Sequence, residues 1–198
     1  MQNGLVYILQ SLIDLYLVTY ALRLGMQWVR ADYRNPIVQF ILTVTNPLVL
    51  PLRRFIPPVY KIDTATLIIF VLLQWAAVAI LTQLTCATSP GLGVILGLAI
   101  IRGLRLILNV YFFLTFGYVL LSWIGQGGYN PSIAMLSGLL RQLAEPVLMP
   151  FRRIIPPIAG LDLSPVALLL LLGAATRMLY GPAQQLAGGY LCPLGAIL

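Results

Sequence analysis

"NPLVLPLRRFIPP", residues 46–58, sets four prolines and a twin arginine into an otherwise apolar chain, and "EPVLMPFRRIIPP", residues 145–157, does so again. Over these thirteen positions seven residues are identical and five exchange one apolar side chain for another. Further out, "WVRADYRNP" (28–36) pairs with "WIGQGGYNP" (123–131), and "KIDTAT" (61–66) with "GLDLSP" (160–165). Internal repetition constrains architecture more than local propensity does. The chain therefore reads as one unit written twice: a span, Trp, a short polar loop, Asn-Pro, a lateral segment, the Pro/Arg motif, Asp and a second span.

Apolar residues make up 60% of the 198 positions and charged residues 9%, a composition whose natural solvent is lipid. Four stretches approach the roughly 20 apolar residues that cross a bilayer core: Leu5–Trp28, Thr64–Leu84, Leu106–Ile124 and Leu163–Tyr180. No basic segment precedes the first and no small-residue cleavage pattern follows it, so it is expected to stay in place as a span of a bacterial membrane protein. The expected fold is all-α, with four transmembrane helices as two parallel tandem repeats at 1–84 and 106–180, a connector at 85–105 and a C-terminal tail at 181–198.

The net charge of +7 would raise nucleic acid as a partner in a soluble protein, but its location argues against that. Arg30, Arg34, Arg53, Arg54 and Lys61 lie between spans one and two, and Arg141, Arg152 and Arg153 between spans three and four, whereas 85–91 and 181–198 carry no charge. The positive-inside rule makes both basic loops cytoplasmic in the inner membrane and both termini external. Cys86 and Cys192 then share the outer face, where oxidation is permitted. Whether they are bonded or free depends on a distance that the sequence leaves open.

Between Asn-Pro and the motif, Ile37, Phe40, Ile41 and Val44 make an apolar stripe opposite Gln39, Thr43 and Asn46. In the second unit Ile133, Leu136, Leu140 and Leu143 lie opposite Ser137, Arg141 and Gln142. Both fit short amphipathic helices in the interface plane. Proline fixes φ and lacks an amide donor, so Pro47 and Pro146 are expected to start short helices. Pro51, Pro57 and Pro58, with Pro150, Pro156 and Pro157, are expected to complete a rigid corner leading back to the membrane. Asp63 and Asp162 would then cap the next spans. Arg53, Arg54, Arg152 and Arg153 would either meet anionic headgroups and protein partners or act only as topology determinants. The segment 91–105 has no counterpart before span one. Joined to span three it would make a helix of about 50 Å, too long for one crossing, and a separate crossing would put Arg102 and Arg105 near lipid. It is read as an outer-face or re-entrant piece.

Catalytic patterns are absent. The chain has no histidine, its acids are Asp14, Asp32, Asp63, Glu145 and Asp162, and neither a metal-ligand spacing nor a nucleophile with its base is visible. No enzyme, cofactor or metal is expected. Gly93 and Gly97 form a GxxxG that marks at most close helix packing. Asp14 and Asn109 are repeat equivalents, and Arg177 is expected at a similar depth. An intramembrane acid seeks a partner, so Asp14, Asn109 and Arg177 are read as a polar cluster, either a clasp between spans one and four or part of an ion path. Arg23, near the inner end of span one, can snorkel without a further role.

With twin [N/E]-P-x-x-x-P-x-R-R-x-I-P-P motifs, each preceded by Trp and Asn-Pro and followed by Asp, the chain resembles the YggT/YlmG family of bacterial and plastid membrane proteins over nearly its whole length. The resemblance implies an organising role of the kind linked to division or nucleoid organisation, osmotic and potassium homeostasis, or cytochrome assembly in plastids, and it attaches no catalytic role to the motif residues. Two functions follow: a non-enzymatic membrane scaffold, or a subunit of an oligomeric ion channel or transporter. The partners expected are anionic lipids, other proteins or further copies of the chain.

Overall fold

The computed structural model describes residues 2–57, 63–124, 131–155, 162–190, 192 and 197. Helices account for nearly all of them: α1 (Gln2–Val29), α2 (Pro36–Arg53), α3 (Thr64–Thr85), α4 (Leu92–Ile124), α5 (Pro131–Ile154), α6 (Ser164–Met178) and α7 (Tyr180–Ala187). The order α1–α2–corner–α3 recurs as α4–α5–corner–α6.

Five helical stretches among the described residues, not four, are long and apolar enough to cross a membrane: α1, α2, α3, α4 and the α6–α7 run. The addition is α2, whose 18 residues amount to about 27 Å. The expected break in α4 is absent. Residues 92–124 form one helix of 33 residues, and the boundary placed at 105/106 falls inside it. Nor is 181–190 a loose tail. Helix α7 packs on α4 with Ala183 and Ala187 buried, and the end of α3 is joined to Cys192 through a disulfide from Cys86, Cα to Cα 4.3 Å.

Helix α4 is the central post, packed against α1, α3, α5, α6 and α7. The two units share their internal contacts, α1 with α2 and α3, and α4 with α5 and α6. A core of Leu17, Tyr20, Phe70, Leu106 and Val110 joins α1, α3 and α4, and Leu168 and Leu172 close the second unit beneath Leu148.

The lateral helices run through their prolines instead of starting at them. Asn35 caps α2, its Oδ1 accepting from the Ile37 amide at 2.9 Å with Pro36 in the first turn, and α5 begins at Pro131. Pro47 and Pro51 lie inside α2, and Pro146 and Pro150 inside α5. Each pair is four residues apart, so it shares one face, and all four prolines are exposed. The carbonyls left without a donor therefore sit away from the core. The buried faces are also rotated from the expected stripes. They comprise Val38, Ile41, Thr45 and Val49 in α2, and Leu139, Leu143, Ala144 and Leu148 in α5, while Phe40 and Leu136 face outward. Pro57 ends the described part of the first corner, with the Thr64 hydroxyl donating to its carbonyl at 2.8 Å. Pro58, Pro156 and Pro157 lie outside the described residues.

Candidate functional site

Four equivalent positions meet at each corner. In the first they are Arg23 of α1, Asn46 and Arg53 of α2, and Asp63 before α3. In the second they are Tyr118 of α4, Glu145 and Arg152 of α5, and Asp162 before α6. Arg23 does not snorkel. It is buried, and its Nη1 donates to Thr45 Oγ1 at 2.6 Å and to Asn46 Oδ1 at 2.9 Å. Its Nη2 lies 3.8 Å from Asp63 Oδ2, and Arg53 Nε lies 3.7 Å from the same oxygen. Asp63 is therefore an arginine acceptor, with Thr66 Oγ1 donating to it at 3.0 Å. It makes no side-chain cap of α3, which corrects the expected role, because the two guanidinium groups and Thr66 hold the carboxylate.

The second corner gathers around one arginine. Arg152 donates through Nε to Asp162 Oδ2 at 2.8 Å, through Nη1 to Glu145 Oε1 at 2.6 Å and through Nη2 to the Tyr118 hydroxyl at 3.3 Å. Asp162 is not the N-cap of α6, a place held by Leu163, but from one residue earlier its Oδ1 accepts from the first-turn Ser164 amide at 3.0 Å. Burial pushes the Asp162 carboxyl up, but the hydrogen bonds from Ser164 and Arg152 outweigh it and hold the group below the usual carboxylate range. Burial also works against the charge of Arg152, but hydrogen bonds to Asp162 and Tyr118 and the charge of Glu145 raise its pKa.

Each twin arginine is thus divided. Arg53, itself partly exposed, and Arg152 turn to the aspartates, whereas Arg54 and Arg153 are exposed with no carboxylate in ion-pair range among the described residues. Each of the latter precedes a large, mostly exposed apolar residue, Phe55 at 83% exposure and Ile154 at 77%.

Asp14 has a different partner from the one expected. Arg102 of α4 donates from Nη2 to Asp14 Oδ1 at 2.5 Å and from Nη1 to Gln74 Oε1 of α3 at 2.6 Å, so one buried guanidinium ties three helices together. Arg177 is exposed at the end of α6. That helix packs on α4, α5 and α7, whereas the Asp14 pair joins α1 to α4. Asn109 does join Asp14, lining with Arg102 and Phe113 a cavity of about 350 Å³ between α1 and α4. Arg105 donates to the Tyr180 hydroxyl at 2.7 Å with its guanidinium carbon 4.0 Å from the ring centroid, which fastens α7 to α4. The sequence signal for both arginines was their spacing of three on one helix, together with an unpaired Asp14 that required a cation. Among the described residues no group of three metal-ligating side chains is present.

Fold and corners together define a class: an all-helical protein with several helices apolar enough to cross a membrane, built as a twofold repeat of helix, proline-bearing lateral helix, arginine corner and helix. The chain belongs to the CCB3/YggT family, whose model matches residues 2–84 and 97–183, one segment for each unit. It is 41% identical over 172 residues to an uncharacterized protein of Pseudomonas aeruginosa, covering 84% of this chain and 83% of that one. It is 34% identical over 195 residues to the uncharacterized protein YggT of Escherichia coli K12, covering 96% of each. A Vibrio alginolyticus protein is 34% identical over 169 residues, covering 85% of this chain and 89% of that one. No solved structure matches.

Proposed function

We propose that this protein is a non-enzymatic scaffold of the bacterial inner membrane, with its arginine corners on the cytoplasmic face, both termini outside, and anionic headgroups and proteins as partners. The observation that carries this reading is the division of each twin arginine. Arg53 and Arg152 secure the corner, which leaves Arg54 and Arg153 exposed beside Phe55 and Ile154. A cation beside an apolar side chain suits an interface where a ring or alkyl group enters the acyl boundary and a guanidinium meets phosphate. The double variant Arg54→Gln/Arg153→Gln should insert and melt like wild type while co-purifying markedly less anionic lipid. Unchanged lipid content would sink the proposal.

A second reading, a subunit of an oligomeric channel or transporter, is favoured by the Asp14–Arg102 pair and Asn109 around the α1/α4 cavity, since ionisable residues inside a membrane commonly mark ion paths. Asp14→Asn should then abolish ion flux in liposomes. A strictly monomeric protein without flux disposes of this reading.

A further inference from the structure

The two corners differ in the apolar surface beside them. In the first unit Leu48, Pro51 and Leu52 of α2, with Phe55 in the turn just beyond it, face Ile69, Leu72 and Leu73 of α3 across a groove of about 390 Å³. That volume lies within the range of small-molecule sites. Arg53 and Arg54 fall in the chain between Leu52 and Phe55, so the two cations stand beside the groove at the end of α2. In the second unit the counterpart of Leu52 is the larger Phe151, which packs with Val147 onto Leu168 and Leu172. The counterpart of half-buried Leu73, Leu172, is buried.

The charges differ in the same sense. The first corner holds two cations and one anion, Arg23, Arg53 and Asp63, and the Arg53 side chain is 45% exposed with a single 3.7 Å contact to the carboxylate. The second corner holds one cation and two anions, with Arg152 donating to three acceptors. With Arg54 and Arg153 added, the first corner keeps an excess of positive charge and the second is balanced, so a phosphate is attracted more strongly to the first.

We propose that the α2/α3 groove is a binding site for one anionic phospholipid, an acyl chain lying along Leu48, Leu52 and Leu72 and the phosphate meeting Arg54 and the exposed part of Arg53. This rests on the scaffold reading and narrows it, because it names the first corner as the one that retains a lipid. A zwitterionic lipid fits the groove equally well but brings its own cation to a cationic corner.

The test is native mass spectrometry of the whole chain released from nanodiscs of equal parts phosphatidylglycerol and phosphatidylethanolamine, with detergent melting as the check of folding. Wild type should retain one phosphatidylglycerol. Arg54→Gln should weaken retention about fivefold, the factor that one juxtamembrane basic residue supplies. Leu52→Phe, which copies Phe151 into the groove, should weaken it with every charge in place, and Arg153→Gln should weaken it less than Arg54→Gln does. Equal losses in Arg54→Gln and Arg153→Gln, with Leu52→Phe silent, would overturn the groove site and leave the scaffold reading standing. Retention unaffected by all three variants, or shared equally with phosphatidylethanolamine, would overturn both.

Discussion

At the first corner the spanning helix contributes a cation, Arg23, and the lateral helix a neutral amide, Asn46. At the second the span contributes a phenol, Tyr118, and the lateral helix a carboxylate, Glu145. Both corners still close an arginine of the twin motif onto an aspartate, in Arg53–Asp63 and Arg152–Asp162. The repeat preserves a geometry, span to lateral helix to corner, while two of its four positions each become one unit more negative, Arg23 to Tyr118 and Asn46 to Glu145. What the corner requires is at least one guanidinium bridging the lateral helix and the residue that leads into the next span. Where that guanidinium is anchored can vary.

The largest test of this contrast is Arg23→Ala against Tyr118→Phe. Arg23 and Asp63 are both buried, so removing the arginine leaves the carboxylate with the half-exposed Arg53 as its one remaining cation and strips Thr45 and Asn46 of their donor, which should cost about 3 kcal/mol. Tyr118→Phe deletes one long hydrogen bond and should cost below about 1 kcal/mol. Equal losses in detergent melting would show that the corners are not organised differently.

Arg152→Gln comes next, at about 2 kcal/mol, because three acceptors lose one donor at a half-exposed site. The same cluster sets an acid response. The folded pKa of Asp162 is depressed, so its contribution is present above the unfolded carboxylate value near 4 and is lost as pH falls through the folded value. Asp162→Asn should flatten the melting curve below about pH 4, and an unchanged acid limb would contradict the assignment.

Copying the second corner into the first sharpens the comparison further. Arg23→Tyr and Asn46→Glu should each destabilise, but together they rebuild the Arg152 arrangement around Arg53, with a favourable coupling of about 1 kcal/mol in a double-mutant cycle. Strict additivity would show that the second corner's arrangement does not transfer. The smallest effect expected is at Arg30, which ends α1 with φ of 54°, a region that L residues enter at some cost. The second unit has Gly125 at the equivalent place. Arg30→Gly should stabilise by about 0.5 kcal/mol, the relief of strain offset by glycine's greater chain entropy.

The repeat was legible because its punctuation is local: Trp28 and Trp123, the Asn-Pro dipeptides, the twin arginines and the aspartates all stand at fixed offsets, and they mark the helix order correctly. The pairings were not legible because they are long-range. Arg102 and Arg105 look prohibitive within a membrane span, so on sequence alone α4 breaks just after them. Arg102 is tolerated because Asp14 arrives from a residue 88 positions away and Gln74 from a third helix, neither of which local spacing can reveal. The same blindness pairs Asp14 with Arg177, since nothing in the sequence says that α6 packs on α4, α5 and α7 while Asp14 meets Arg102. The prolines misled for a different reason. Breaking a helix is their average behaviour, but at four-residue spacing on an exposed face they leave one flank without bonds and the core flank intact.

The bond between Cys86 and Cys192 spans 106 positions and turns the whole second unit into a covalent ring, with α1–α3 as its stem. A protease that cuts once anywhere between those cysteines opens the ring without releasing a piece. The nicked protein stays a single molecule until a reductant is added, and only then does the second unit separate into fragments.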